Sequence, residues 1–227
     1  MSDQYVLQKA QQVCRLLISI YGSAVSERKL PPVDELVLTI LSQNTADVNA
    51  ERAFAALKAK YDDWESVLHA PADELGRVIR PSGFFRLKAQ RIQATLAEIQ
   101  TRTGQISLSL LADMPTDEAK HWLMSLPGVG PKTASIVLLF SFGRPTLPVD
   151  THVWRVTRRL GLVPSKASRE SAQTVLERLL PAICIPSANR NLIRLGREIC
   201  KARRPRCDRC FLRDLCDYYA LSPLMNS

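Results

Sequence analysis

"LPGVGPKTA", residues 126–134, decides the fold. Pro127 can end the helical run "HWLMSL" before it, Gly128 and Gly130 permit a tight turn, and Pro131 suits the first position of the apolar run "SIVLLFSF" that follows. The reading is a hairpin of two helices. Because Pro131 separates the second glycine from Lys132, the spacing of a nucleotide-binding P-loop is absent. Backbone N–H groups of Gly128, Val129 and Gly130, next to a helix N-terminus, instead form an anion site able to grip a DNA phosphate; an ordinary tight joint is the plain alternative.

Lys132 falls in the first turn of the second helix, where the macrodipole disfavours a cation unless it meets an anion or works as a neutral amine. Two roles stay open on these residues: a phosphate ligand, or an amine nucleophile of the kind that forms a Schiff base. Eighteen residues on, "VDTH" puts Asp150 at the start of another helix. Asp is a favoured N-cap, and a carboxylate can also orient an amine and stabilise positive charge on a sugar ring.

Helical spacing continues outward from the hairpin. Val33, Leu36, Val37, Ile40 and Leu41 mark one apolar face, and the same period recurs in "AERAFAALKAKY", "RLKAQRIQATLAEIQ", "ESAQTVLERLL" and "NRNLIRLGREIC". Strand-length alternation is scarce, so the expected class is all-α. "GRPTLPVD", residues 143–150, is the sharpest compositional break and a candidate domain crossing.

The 227 residues carry 31 Lys and Arg against 22 Asp and Glu, a net charge of +9, which favours a polyanionic partner such as nucleic acid. No basic leader precedes an apolar core and no uncharged run reaches membrane length, so a cytoplasmic protein, nucleoid-associated in a bacterium, is expected without a membrane partner. Four of six cysteines, Cys200, Cys207, Cys210 and Cys216, read C-x6-C-x2-C-x5-C. Four thiolates so close can wrap a zinc ion or a four-iron four-sulfur cluster, and the single C-x2-C between wider gaps favours iron-sulfur. Residues 197–213 add seven Lys and Arg against two acids, which suits a phosphate backbone or offsets a negative metal-thiolate centre. Cys14 and Cys184 are expected to be buried or inert thiols.

These motifs together resemble the helix-hairpin-helix DNA glycosylases, and within them endonuclease III. "LPGVGPKTA" is similar to the family's hairpin and lysine, "VDTH" to its aspartate segment, and the cysteine spacing to its cluster; "ILSQNTAD" and "IRPSGFFRLKAQRI" extend the likeness over most of the chain. The resemblance implies a helical barrel at residues 25–144 and a cluster domain at 1–24 plus 145–227, with a DNA cleft between them. It implies one [4Fe-4S] cluster on the four cysteines, and double-stranded DNA with damaged bases or abasic sites as partner of a monomer. Lys132 would attack the sugar and break the strand as a Schiff base, supported by Asp150, acting on oxidised pyrimidines. Gln43, Asn44 and Phe84 would fill the gap left by a flipped base, with Lys88 and His152 also at the DNA. Asn44 stands where the family's glutamine is usual and Phe84 where leucine is commoner, both on the surface that would meet the orphaned base. A monofunctional glycosylase for mismatched or alkylated bases, and a non-catalytic iron-sulfur DNA-binding or electron-transfer protein, are the competing classes.

Overall fold

The computed structural model describes residues 3–23 and 30–221. Among them every regular element is a helix. The chain divides into two compact units: residues 29–144, and residues 1–28 with 145–227. The expected boundary between residues 24 and 25 lies outside the described residues.

The 29–144 unit holds α2 (Pro32–Ser42), α3 (Asp47–Lys60), α4 (Trp64–His69), α5 (Ala72–Val78), α6 (Phe85–Thr103), α7 (Thr116–Met124) and α8 (Pro131–Phe140), numbered after α1 (Asp3–Tyr21) of the other unit. α2 begins at the proline pair and packs against α3, α6 and α8, burying Leu36, Val37, Ile40 and Leu41 completely. Each such side chain contributes roughly 1.5–3 kcal/mol. Ile92, Leu96 and Ile99 of α6 and Leu123, Val137 and Leu138 of the hairpin complete one core. α6 stops at Gly104, whose φ of 74° only glycine adopts cheaply and whose N–H reaches the Gln100 carbonyl at 2.8 Å. α4 is a helix the periodicity did not reveal; at six residues it is too short to show a stripe, and Asp63 caps it by accepting from the Ser66 N–H at 2.7 Å.

The second unit combines α1 with α9 (Thr151–Arg159), α10 (Arg169–Leu179), α11 (Ile185–Glu198) and α12 (Asp217–Ala220). α11 lies against both α1 and α9. It starts four residues ahead of the "NRNLIRLGREIC" pattern, with Pro186 inside its first turn, where the missing N–H costs no hydrogen bond. Asn191 ties the end of α1 by donating to the carbonyls of Leu17 and Gly22 at 3.1 and 2.9 Å. Lys9 of α1, almost fully buried, pairs with Asp217 at 2.5 Å.

Candidate functional site

The hairpin turn joins α7 to α8. Gly128 sits at φ 75°, and a Cβ there would stand 3.2 Å from Cδ of Arg91. Gly130 caps α8 with extended backbone, and the Ala134 N–H makes the first intrahelical bond, to the Gly130 carbonyl at 3.0 Å. The N–H groups of Lys132 and Thr133 therefore stand ahead of the helix's own hydrogen bonding, as an anion site requires. Lys132 is exposed at this end. Val129 departs from expectation: its side chain is buried in the core and its N–H donates to the Leu126 carbonyl at 3.2 Å, so it offers no group to a phosphate.

Two further segments meet in the same unit. In the α2–α3 turn, Asn44 is exposed with φ 53°, and Gln43 is hooked onto the hairpin: its Nε2 donates to the Gly128 carbonyl at 3.3 Å while Arg91 donates to its Oε1 at 3.0 Å. Ahead of α6, Phe84 has φ 45° and is 68% exposed. Left-handed backbone at a non-glycine residue costs about 1–2 kcal/mol, so both turns are held in their shape by neighbours.

Lys88 is a correction. It is only 2% exposed, and its ammonium donates to the carbonyls of Leu41 and Ser82, each at 2.6 Å, and to Oγ1 of Thr45 at 3.1 Å. Burial, with the neighbouring Arg91 charge second, pushes its amine down to about 8. With its donors spent on the protein it cannot serve a phosphate. Thr45, which also donates to the Ser82 carbonyl, and Arg91 were not read from the sequence; both act across some forty residues, where no local pattern can show them.

In the other unit Asp150 caps α9. Its Oδ1 accepts from the N–H groups of both His152 and Val153 at 2.8 Å, which fixes the carboxylate and leaves Oδ2 outside the cap. Both uses weighed for this residue are thus compatible. The His152 ring packs on Gly196 of α11, where a Cβ would come within 2.8 Å of the histidine Cβ, and its Nδ1 lies 3.1 Å from Arg155.

Cys200, Cys207, Cys210 and Cys216 line one cavity with about 290 Å³ of atom-free space including its mouth, together with Ile199, Pro205 and Tyr219. None of the four is in a disulfide. Burial first, and then repulsion between the sulfurs, raise Cys207, Cys216 and Cys210, the last to about 11, so without a bound cation these thiols keep their protons. Four thiols lining one cavity are the donor set a four-iron four-sulfur cluster needs, and these residues would hold it. Arg159 donates to Sγ of Cys200 at 3.3 Å and to the carbonyls of Lys201 and Ala202, bracing the loop. Lys201, Arg203, Arg204, Arg206, Arg209 and Arg213 are exposed around it. Cys14 is buried and Cys184 half-buried, with burial and then a hydrogen bond to Cys184 pushing Cys14 up to about 12.

A glycine hairpin in one helical unit and a four-thiol cradle in the other define a class: residues 37–182 match the HhH-GPD superfamily base excision DNA repair protein family, and residues 200–216 match the iron-sulfur binding domain of endonuclease III. Endonuclease III of Thermotoga maritima is 35% identical over 195 residues, 86% of each chain, and that of Rickettsia conorii is 39% identical over 184 residues, 81% of this chain and 83% of the relative. A non-covalent endonuclease III–DNA complex superposes with a TM-score of 0.79 at 28% identity, covering 97% of this chain and 99% of that one. A trapped covalent endonuclease III–DNA intermediate gives 0.76 at 29%, covering 93% and 97%. The chain belongs to the endonuclease III family of base excision repair enzymes, and its four-cysteine segment is the site of one [4Fe-4S] cluster. No helix among the described residues is long and apolar enough to cross a membrane.

Proposed function

We propose that this chain is a bifunctional DNA glycosylase and abasic-site lyase that removes oxidised pyrimidines from double-stranded DNA, acting as a monomer. Lys132 is the nucleophile. Its neutral amine forms a bond to the sugar C1′ as the C1′–base bond breaks, and the base leaves with the electron pair and takes up a proton. Ring opening gives a Schiff base; loss of a C2′ proton then expels the 3′ phosphate by β-elimination, and water releases the amine. Asp150 supports the amine and the developing positive charge with its uncapped oxygen. The trapped covalent endonuclease III–DNA intermediate is consistent with this chemistry.

One observation carries the reading. Lys132 is exposed in the same helical turn whose leading N–H groups can hold a phosphate, so a strand gripped there brings its sugar to the amine. Gly128 shapes that grip and Gly130 leaves room for it. Asn44 and Phe84, with Gln43 behind them, enter the space vacated by the flipped base, and an aromatic Phe84 can stack on its neighbours. His152 and the exposed arginines of the cysteine loop add contacts to the backbone, and a cluster bound in the cradle keeps that loop ordered.

Borohydride reduction of the protein on duplexes with one abasic site or one thymine glycol tests the reading. A covalent adduct is expected, and Lys132→Gln should bind yet neither trap nor nick. Normal nicking by that variant would assign the chemistry to another nucleophile.

A further inference from the structure

Lys88 is a buried cation in the first turns of a helix, where desolvation and the helix dipole both oppose it. Its three acceptors explain why it is there. The Leu41 carbonyl lies at the C-terminal end of α2, among the last four that a helix leaves unpaired and where the dipole favours a cation. The Thr45 hydroxyl follows in the next turn, and the Ser82 carbonyl belongs to the separate turn before Phe84. One ammonium thus ties together two segments about forty residues apart.

Both segments contain a residue in left-handed backbone within two residues of a tied group: Asn44 next to Thr45, and Phe84 two residues from Ser82. These two side chains are also exposed. We propose that Lys88 is a positioning residue, a clamp that locks the α2–α3 turn to the turn ahead of α6 so that Asn44 and Phe84 stand ready as one preformed wedge. The inference rests on the reading that these side chains fill the space of a flipped base. A wedge set before binding spares the ordering cost at the moment of flipping. Lysine suits the task because its compact head sends three rotatable donors in different directions, whereas the planar arginine fork does not. Thr45 is the second element of the clamp, since its hydroxyl both accepts from Lys88 and donates to the Ser82 carbonyl.

The wedge matters only where an opposite strand leaves a gap, so the test compares nicking of one abasic strand alone and in duplex, in steady-state kinetics. Lys88→Met and Thr45→Val are expected to lower the duplex-to-single-strand ratio of kcat/KM, roughly tenfold for Lys88→Met, mainly through KM, with single-strand nicking within about two-fold of the parent. Phe84→Ala should lower the same ratio, and Lys88→Met added to it should cost little more, because the lysine acts through that side chain. If Lys88→Met does not fold, Thr45→Val decides the matter. Loss on both substrates alike, or an unchanged ratio in Thr45→Val and Lys88→Met while Phe84→Ala lowers it, overturns the clamp. An unchanged ratio in Phe84→Ala overturns the gap-filling reading and the clamp's role with it.

Discussion

Asp217 occupies the position that a side chain on Gly161 would need: a Cβ built there would lie 1.7 Å from its Oδ2. The same carboxylate holds the buried Lys9. Gly161 also has φ 72°, a backbone that other residues resist. Gly161→Ala is expected to push Asp217 off its lysine and to cost about 3 kcal/mol, a fall of roughly 6–12 °C in Tm. Calorimetry giving a shift under about 2 °C would mean that the α9–α12 joint tolerates displacement.

Burial pushes the Glu35 carboxyl up to about 7, partly offset by a hydrogen bond from Thr39. The folded chain therefore holds this proton more tightly than the unfolded chain does, and the group's contribution to stability falls as pH rises from about 4.5 to about 7. Glu35→Gln removes the penalty. The variant should be more stable than the parent near pH 8, by up to about 3 kcal/mol, with the difference vanishing as pH falls below about 4. Parallel pH–Tm curves would show that Glu35 is solvated.

Arg159 bonds Sγ of Cys200 and two carbonyls of the cysteine loop, and lies 4.6 Å over the Tyr218 ring. Lysine cannot reproduce that fork. Arg159→Lys should keep the visible absorbance of the cluster when freshly purified but lose iron to a chelator roughly tenfold faster, followed by that absorbance.

Phe84 combines strained backbone with 68% exposure, so it contributes little to the core. Phe84→Gly relieves the left-handed strain while deleting the ring. Tm should not fall, whereas KM on lesion duplex should rise roughly tenfold, the opposed signs marking a residue retained for contact outside the fold. A drop in Tm with unchanged KM would reverse that assignment.

The hairpin, the four-thiol motif and the Asp150 cap were legible because each is local: glycine and proline at fixed offsets, cysteines within seventeen residues, an acid just ahead of an apolar-periodic run. Lys88 was misread as a surface cation although its register gave a warning. It lies four, eight and eleven residues before Ile92, Leu96 and Ile99, on the buried stripe of α6. Val129 was misread because a residue between two glycines suggests exposed backbone, while its side chain turns into the core. The hooks from Lys88, Arg91 and Thr45 join distant segments, so only the folded chain displays them.

The two glycines of the hairpin answer to different demands. Gly128 is required by its own backbone and by the arginine beneath it, but Gly130 has ordinary φ and a Cβ there would meet nothing within 4 Å. The fold is indifferent to what stands at 130. If the hairpin grips a strand as proposed, that bareness serves the partner, and an alanine there would separate the integrity of the protein from its hold on DNA.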